Sequence, residues 1–186
     1  MDRHDIIFLG RRDPYTKPTL EFVWSKIIGD GLVQRLFYDG SVQNLDAFLG
    51  AMMNEDALPF VMTNEDGKIV LFAWLNCIEG VMARMHFTMF RDSWGGKRNA
   101  VALGRKMVEH VLSRKDDAGY IIHTVVGITP VVNTLALRYV MALGMERVGI
   151  VPNGATLYYQ GGRVVDAVLT VATRKSMGIG EAQCNA

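Results

Sequence analysis

The second half of the chain constrains its fold most, because glycine-marked helical segments alternate there with β-rich runs. Val81–Phe90 alternates in character and leads through Trp94-Gly95-Gly96-Lys97-Arg98-Asn99-Ala100 into a long amphipathic segment. In that segment Ala100, Leu103, Gly104, Met107, Val108, Val111 and Leu112 recur at helical spacing, with Arg105, Lys106, Glu109 and Arg114 on the opposite side. Gly104 falls on the apolar side, where a missing Cβ lets a helix approach a sheet closely. Tyr120–Val126 reads as a central strand, and Thr129-Pro130 is expected to open the next helix, since proline suits a first turn. Leu135, Ala136, Tyr139, Val140 and Leu143 form that helix's apolar face, and Gly144 is a natural C′ residue.

The first half is simpler. Ile6–Leu9 is a short apolar run. Thr19 is expected to cap a helix carrying Leu20, Val23, Trp24, Ile27 and Ile28, which Gly29 and Gly31 terminate. Leu32–Tyr38 reads as a strand and Asp39-Gly40 as a turn, after which Asn44 caps a helix with Leu45, Phe48, Leu49, Met52 and Met53 at the same spacing. From Leu58 the period becomes that of strands. Pro59–Met62 and Lys68–Ile78 flank the hairpin signal Asn64-Glu65-Asp66-Gly67, and Glu79-Gly80 turns into Val81–Phe90. Asp116–Gly119 is expected to be a loop. Arg147–Val151, Thr156–Gln160 and Val164–Ala172 are further strands, with Gly161-Gly162 as a turn. Such an order predicts an α/β chain of the α+β type, a single domain over 1–186 with helices on both faces of one mixed sheet. The polar residues 175–186 are expected to form a flexible tail.

Composition narrows the function classes. The chain has 186 residues, 49% of them hydrophobic, enough for one full core, and its formal charge of +1 leaves no electrostatic footprint for nucleic acid or an anionic membrane. Cys77 and Cys184, with four dispersed histidines, fit no metal-ligand spacing, so no metal is expected. The polar start Met1–Asp5, with no long apolar run after it, carries no signal-peptide or membrane-span pattern, and a reduced, cytoplasmic protein is the simplest expectation. No nucleophile-elbow motif is present.

The loop at Trp94–Ala100 suggests anion binding. A helix N-terminus offers unpaired N–H groups and partial positive charge, glycines admit a phosphate to the backbone, and Lys97 and Arg98 add full charges. The alternative is a solvated strand-to-helix turn. In context the loop resembles the Q/R-x-x-G-x-G/A segment of the GNAT acyltransferase superfamily. Arg91, Gly95, Gly96 and Ala100 supply its residue types at a different spacing. A second segment is closer to that superfamily: Asn133, Ala136, Leu143 and Gly144 match N-x-x-A followed by L-G-F, with Met145 in place of phenylalanine.

The resemblance covers roughly 58–172 and implies a mainly antiparallel mixed sheet with acetyl-CoA or another acyl-CoA as co-substrate. It makes 58–172 the cofactor-binding core and 1–55 a helical acceptor-side segment. The implied cofactor contacts are the backbone at Phe87, Thr88 and Met89, the loop Trp94, Gly95, Gly96, Lys97, Arg98, Asn99 and Ala100, and Asn133. The implied activity is acyl transfer to a primary amine of a small molecule or peptide by direct attack in a ternary complex. The superfamily's general-acid tyrosine falls seven residues after the asparagine, where this chain has Val140; Tyr139 is one residue earlier, a rotation of about 100° on a helix. Tyr139 is therefore either the acid or a core residue.

His86 is the candidate base, since imidazole titrates near neutrality and the alternation Met82, Arg84, His86, Thr88, Phe90 gives it polar company. Glu79 is the carboxylate alternative. His123 reads as structural and His110 as solvent-facing. Trp24, Trp74, Tyr158 and Tyr159 are candidate acceptor-pocket walls, or ordinary core, and Met82, Met85 and Met89 fit an adaptable apolar channel. Two competing readings stand beside catalysis: a coenzyme A-binding protein of this fold without activity, and a structural or assembly protein. A homodimer is the base-rate expectation.

Overall fold

A computed structural model describes residues 4–91 and 97–179. In chain order its elements are β1 (Asp5–Phe8), α1 (Thr16–Gly29), α2 (Val33–Leu36), α3 (Leu45–Met52), β2 (Leu58–Thr63), β3 (Ile69–Glu79), β4 (Met82–Met89), α4 (Lys97–Ser113), β5 (Lys115–Asp116), β6 (Gly119–Tyr120), β7 (Thr124–Pro130), α5 (Thr134–Ala142), β8 (Glu146–Leu157) and β9 (Arg163–Thr173). Seven strands form one sheet in the order β1-β2-β3-β4-β7-β9-β8, and β5 and β6 form a separate small hairpin. Every pair in the main sheet is antiparallel except β4 with β7.

Helices cover both faces, and the side-chain alternation of the central strands explains why. Leu71, Ala73 and Leu75 of β3, with Ala83, Met85 and Met89 of β4, pack under Leu103, Met107, Val108, Val111 and Leu112 of α4 and Val140 of α5. Phe72 and Trp74 turn the other way, toward Leu20, Val23, Trp24 and Ile27 of α1 and Phe48 and Met52 of α3. Strands covered on both faces read as continuous apolar runs, as β2 and β3 do. A third, smaller cluster joins Ala155, Leu157, Val165 and Ala167 to Tyr38, Ile128 and Val131.

Several boundaries differ from the sequence expectation. Helix α1 starts at Thr16 rather than after Thr19: Thr16 Oγ1 donates to the Gly10 carbonyl at 2.7 Å, and Pro18 sits in the first turn, where no N–H is needed. Leu32–Tyr38 is not a strand. Leu32, Val33 and Leu36 pack on the α1–α3 cluster from a helical turn, and Phe37 is buried. Short apolar runs do not reveal their period. Thr129-Pro130 closes β7 instead of opening α5. Proline is tolerated at a strand end, and the helix begins only after Asn133, whose Oδ1 accepts from Ala136 N at 3.2 Å.

The region expected to give strands Arg147–Val151 and Thr156–Gln160 is one strand, β8. It is interrupted in register between Val151 and Ala155, where Asn153 has φ +52°, and is followed by a 3-10 turn at Tyr158–Gln160. Strand β7 begins at Thr124 rather than Tyr120, which is taken up by the β5–β6 hairpin. Of the expected tail 175–186, residues 175–179 are described. Met177 is buried, and its carbonyl accepts from Arg105 Nη2 at 2.9 Å.

Candidate active site

The site is set by a break in pairing at the centre of the sheet. Strands β4 and β7 pair in parallel over Met82–Arg84 and Thr124–Val126 only. Beyond Arg84, β4 continues along β3 as far as Met89, and β7 continues along β9 to Pro130. The two strands thus separate, leaving a wedge between Met85–Met89 and Gly127–Pro130. Phe90 N–H donates to the Val70 carbonyl, so the even-numbered residues of β4 turn their backbone groups toward β3. Antiparallel pairing alternates, hence Phe87 and Met89 direct their N–H and C=O groups into the wedge, where no strand of the described residues meets them. Backbone donors left this way at a sheet's centre need another partner.

One face of the wedge is bounded by α4 and α5. Tyr139 on α5 donates its hydroxyl to the Ala100 carbonyl at 2.7 Å. The same oxygen lies 3.0 Å from Met89 Sδ, and the ring packs edge-on to Phe87 with centroids 5.5 Å apart. A Cβ on Gly104 would overlap the Tyr139 hydroxyl and crowd Leu143, so the glycine sets the closeness of the two helices. Burial raises the Tyr139 pKa and keeps the phenol protonated. Asn133 caps α5 with its side-chain oxygen.

The other face carries the polar side chains of β4. The His86 ring lies on Trp74, its register partner, with centroids 4.6 Å apart and planes within 3°, and its Nε2 is 3.2 Å from Asn76 Oδ1. Burial, reinforced by the nearby Arg84 charge and opposed by Asp39, lowers its pKa to about 3. A ring held neutral to that degree is a weak base, so the expectation that His86 stores a proton near neutrality meets a physical obstacle. Arg84, two residues back, reaches the Tyr38 hydroxyl at 3.4 Å, while its Nε is shut from solvent with no hydrogen-bond partner among the described residues. Tyr38 itself is held where the 38–41 turn meets the end of β8. Tyr158 N donates to the Tyr38 carbonyl at 2.7 Å, and Gly40, at φ +77°, leaves room for the Tyr158 ring that any Cβ would strike.

The structure gathers some of the expected residues and separates others. Phe87, Met89, Tyr139 and Ala100 meet around the wedge, whereas the backbone groups of Thr88 turn to β3; Asn99 precedes Ala100 in the first turn of α4. Asn133 lies just past the end of β7, on the other arm. Glu79 is exposed beside the turn into β4, opposite Met82 at the paired end, about 16 Å along the strand from Phe87. Trp94, Gly95 and Gly96 lie outside the described residues, as do the side chains of Lys97 and Arg98.

Trp24 and Trp74 are core, stacked on Phe48 and on Phe37 and Phe72; Tyr158 and Tyr159 are surface residues. Met82 is exposed, whereas Met85 and Met89 join the α4 core, so the three do not line one channel. His110 is not solvent-facing. It is half-buried edge-on to Phe60, and its pKa is lowered by burial and by Arg114 and Lys106. Tyr38 and Asn76 were not singled out from the sequence. Asn76 is the register partner of Arg84 only because the β3–β4 register shifts between Asn76 and Glu79; a tight turn at Glu79-Gly80 would have set it opposite Ala83, and nothing local brings Tyr38 there either.

A second hollow of about 240 Å3 lies at the other end of the sheet, lined by apolar side chains and Arg114. That guanidinium already rests 4.9 Å from the Phe8 ring centroid and 5.3 Å from that of Phe60, so the hollow presents no unmatched polar group. Among the described residues no cluster of three or more His, Cys, Asp or Glu side chains forms a metal site, and no helix is long and apolar enough to cross a membrane.

Comparison with known proteins places the architecture. No family model and no curated sequence matches the chain. Solved structures do. A spermidine N-acetyltransferase from Vibrio cholerae, in complex with CoA and spermine, aligns with a TM-score of 0.69 at 13% identity over 94% of this chain and 97% of its own. AAC(6')-Ib, in complex with ribostamycin and coenzyme A, aligns with a TM-score of 0.68 at 15% identity over 100% of both chains. At these identities the likeness is one of fold: the chain carries the GNAT fold, with few residues identical to those of these neighbours.

Proposed function

We propose that this protein transfers an acetyl group from acetyl-CoA to a primary amine by direct attack in a ternary complex. The observation that carries the reading is the wedge between β4 and β7, with the backbone groups of Phe87 and Met89 facing into it. The pantetheine arm of the thioester fits there as a substitute strand. The acyl carbonyl oxygen accepts from a β4 N–H, which polarises it as an oxyanion hole does. The phosphates go to the start of α4, where Lys97, Arg98, Asn99 and Ala100 follow Trp94-Gly95-Gly96 in the sequence, and the Asn133 side-chain amide meets the arm from the β7 side.

The chemistry is then an exchange of one bond for another. The amine lone pair forms a C–N bond to the carbonyl carbon and the oxygen takes the negative charge. Collapse expels the coenzyme A thiolate, and the proton lost from nitrogen leaves for solvent. His86 is too weak a base to keep that proton, so the acceptor enters as the free amine and His86, fixed by Trp74 and Asn76, orients it. Tyr139 stays protonated, as an acid for the thiolate must, but its hydrogen is directed at Ala100 and has to turn to serve.

That commitment of the Tyr139 hydroxyl, together with the low basicity of His86, favours a second reading in which coenzyme A binds without turnover. Both readings are tested by melting the protein with acetyl-CoA at about 100 times its dissociation constant, where binding adds roughly 2.7 kcal/mol. A rise followed by acetyl transfer in an amine screen supports catalysis, a rise without transfer supports binding alone, and no rise with folded protein removes both.

A further inference from the structure

We infer that Arg84 receives a carboxylate of the acceptor, so that the substrate is an amine that also carries an acid group, as amino acids do. The inference rests on the acetyl-transfer reading above and adds the acceptor class to it.

The first ground is place. Arg84 is the last β4 residue paired to β7, and it shares a face of the sheet with His86, two residues on. The backbone groups proposed to hold the acyl carbonyl begin at Phe87, about 10 Å further along the strand from Arg84. A long, forked side chain at the head of the wedge can therefore hold one end of a molecule whose other end meets the thioester.

The second is the state of the guanidinium. Its hydrogen bond to Tyr38 is long at 3.4 Å, its Nε has no acceptor and no solvent, and no carboxylate lies within ion-pair distance of it among the described residues. Asp39, which acts on His86 and Tyr38 through its charge, turns Oδ1 to Ser41, accepting from its N–H at 3.1 Å and from its hydroxyl at 2.7 Å. The Arg84 side chain is part-buried rather than spread in solvent, and the planar fork of arginine matches a carboxylate with two parallel bonds.

The third is the company around it. Tyr38, Asn76 and His86 are neutral hydrogen-bonding groups, and burial raises the Tyr38 pKa and lowers that of His86, which keeps both uncharged. A site for a polycation needs carboxylates to dominate, and here the Arg84 cation acts on Tyr38 and His86 more strongly than the Asp39 carboxylate does. The neighbouring structures hold spermine and ribostamycin. The charge around Arg84 points away from such acceptors for this chain.

The test compares acids with their amides. Wild-type protein is melted with acetyl-CoA, with L-amino acids, with their carboxamides and with straight-chain ω-amino acids of increasing length, and acetyl transfer is measured for each and for spermidine. We expect acids to raise the melting temperature and to be acetylated with kcat/KM about 100-fold above their amides, because the amide leaves the guanidinium unmatched. Arg84→Gln should bring that ratio close to one while the melting response to acetyl-CoA persists, and Arg84→Lys should retain part of the preference. Equal use of acids and amides by wild type, better use of spermidine, or an acid preference that survives in Arg84→Gln would overturn the inference. Should Arg84→Gln fail to fold, the wild-type acid-to-amide ratio decides alone. Failure of the underlying reading looks different: acetyl-CoA then gives no melting response, whether or not acids give one that depends on Arg84.

Discussion

Replacing His86 with glutamine should flatten the acid side of the protein's stability curve. In the folded state burial and the Arg84 charge hold the imidazole pKa at about 3, against 6.5 for the free side chain. Because the folded value is the lower one, protons bind the unfolded chain preferentially. The contribution is fully present above the unfolded pKa and is lost as pH falls from there toward the folded pKa. Integrating the proton difference between pH 7 and pH 5 gives a loss of about 2 kcal/mol from this one residue, and the figure barely changes for any folded pKa under about 4. Urea unfolding of wild type and His86→Gln at the two pH values measures it. Glutamine loses the ring stack on Trp74, which offsets both of its values equally and cancels in the difference. The lowered His110 shifts stability in the same direction in both proteins and also cancels. Wild type should lose about 2 kcal/mol more than the variant, close to a 1 M difference in urea midpoint shift at a typical slope. An equal loss in both proteins would mean that His86 titrates normally, and the argument against it as a proton store would fall.

Other outcomes follow from the helices around the wedge. Gly104→Ala should destabilise by about 1–3 kcal/mol in urea titration, because the new methyl meets the Tyr139 hydroxyl and Leu143 across a helix contact with no slack. Asn133→Ala should cost about 1 kcal/mol through loss of the α5 cap, and should also weaken acetyl-CoA binding by calorimetry. Lost stability with unchanged affinity would reduce Asn133 to its capping role. Tyr139→Phe should cost about 1 kcal/mol for the lost bond to Ala100. A fall in kcat without that stability change would assign the hydroxyl to the chemistry rather than to packing.

How far the sequence could be read depended on whether the signal was local. The apolar stripes of α1, α3 and α4 recur at helical spacing, and their apolar side chains form the two main cores apart from Ile28, which is 53% exposed at the end of α1. The Asn64–Gly67 turn and the alternation of β4 foretold both the meander and the shared face of Arg84 and His86. Pro130 misled because proline suits a strand end as well as a helix start. The deciding feature, an asparagine oxygen capping Ala136, lies in the side chain three residues on. Leu32–Tyr38 misled because its apolar residues serve a helical turn too short to display a period. The polar group around Arg84 was legible in part. His86 follows from the alternation of β4, but Asn76 reaches the Arg84 face through the register shift between Asn76 and Glu79, and Tyr38 arrives through the packing of its turn against Tyr158, which no pattern in residues 32–41 announces.

The central claim is that the wedge between β4 and β7 holds acetyl-CoA, and amide hydrogen exchange tests it most directly. Exchange measured on the protein alone and with excess acetyl-CoA should slow selectively at Phe87 and Met89, whose N–H groups face the wedge, with a smaller effect around Asn133. Unchanged exchange at Phe87 and Met89, or protection confined to the hollow beside Phe8 and Arg114, would contradict the account.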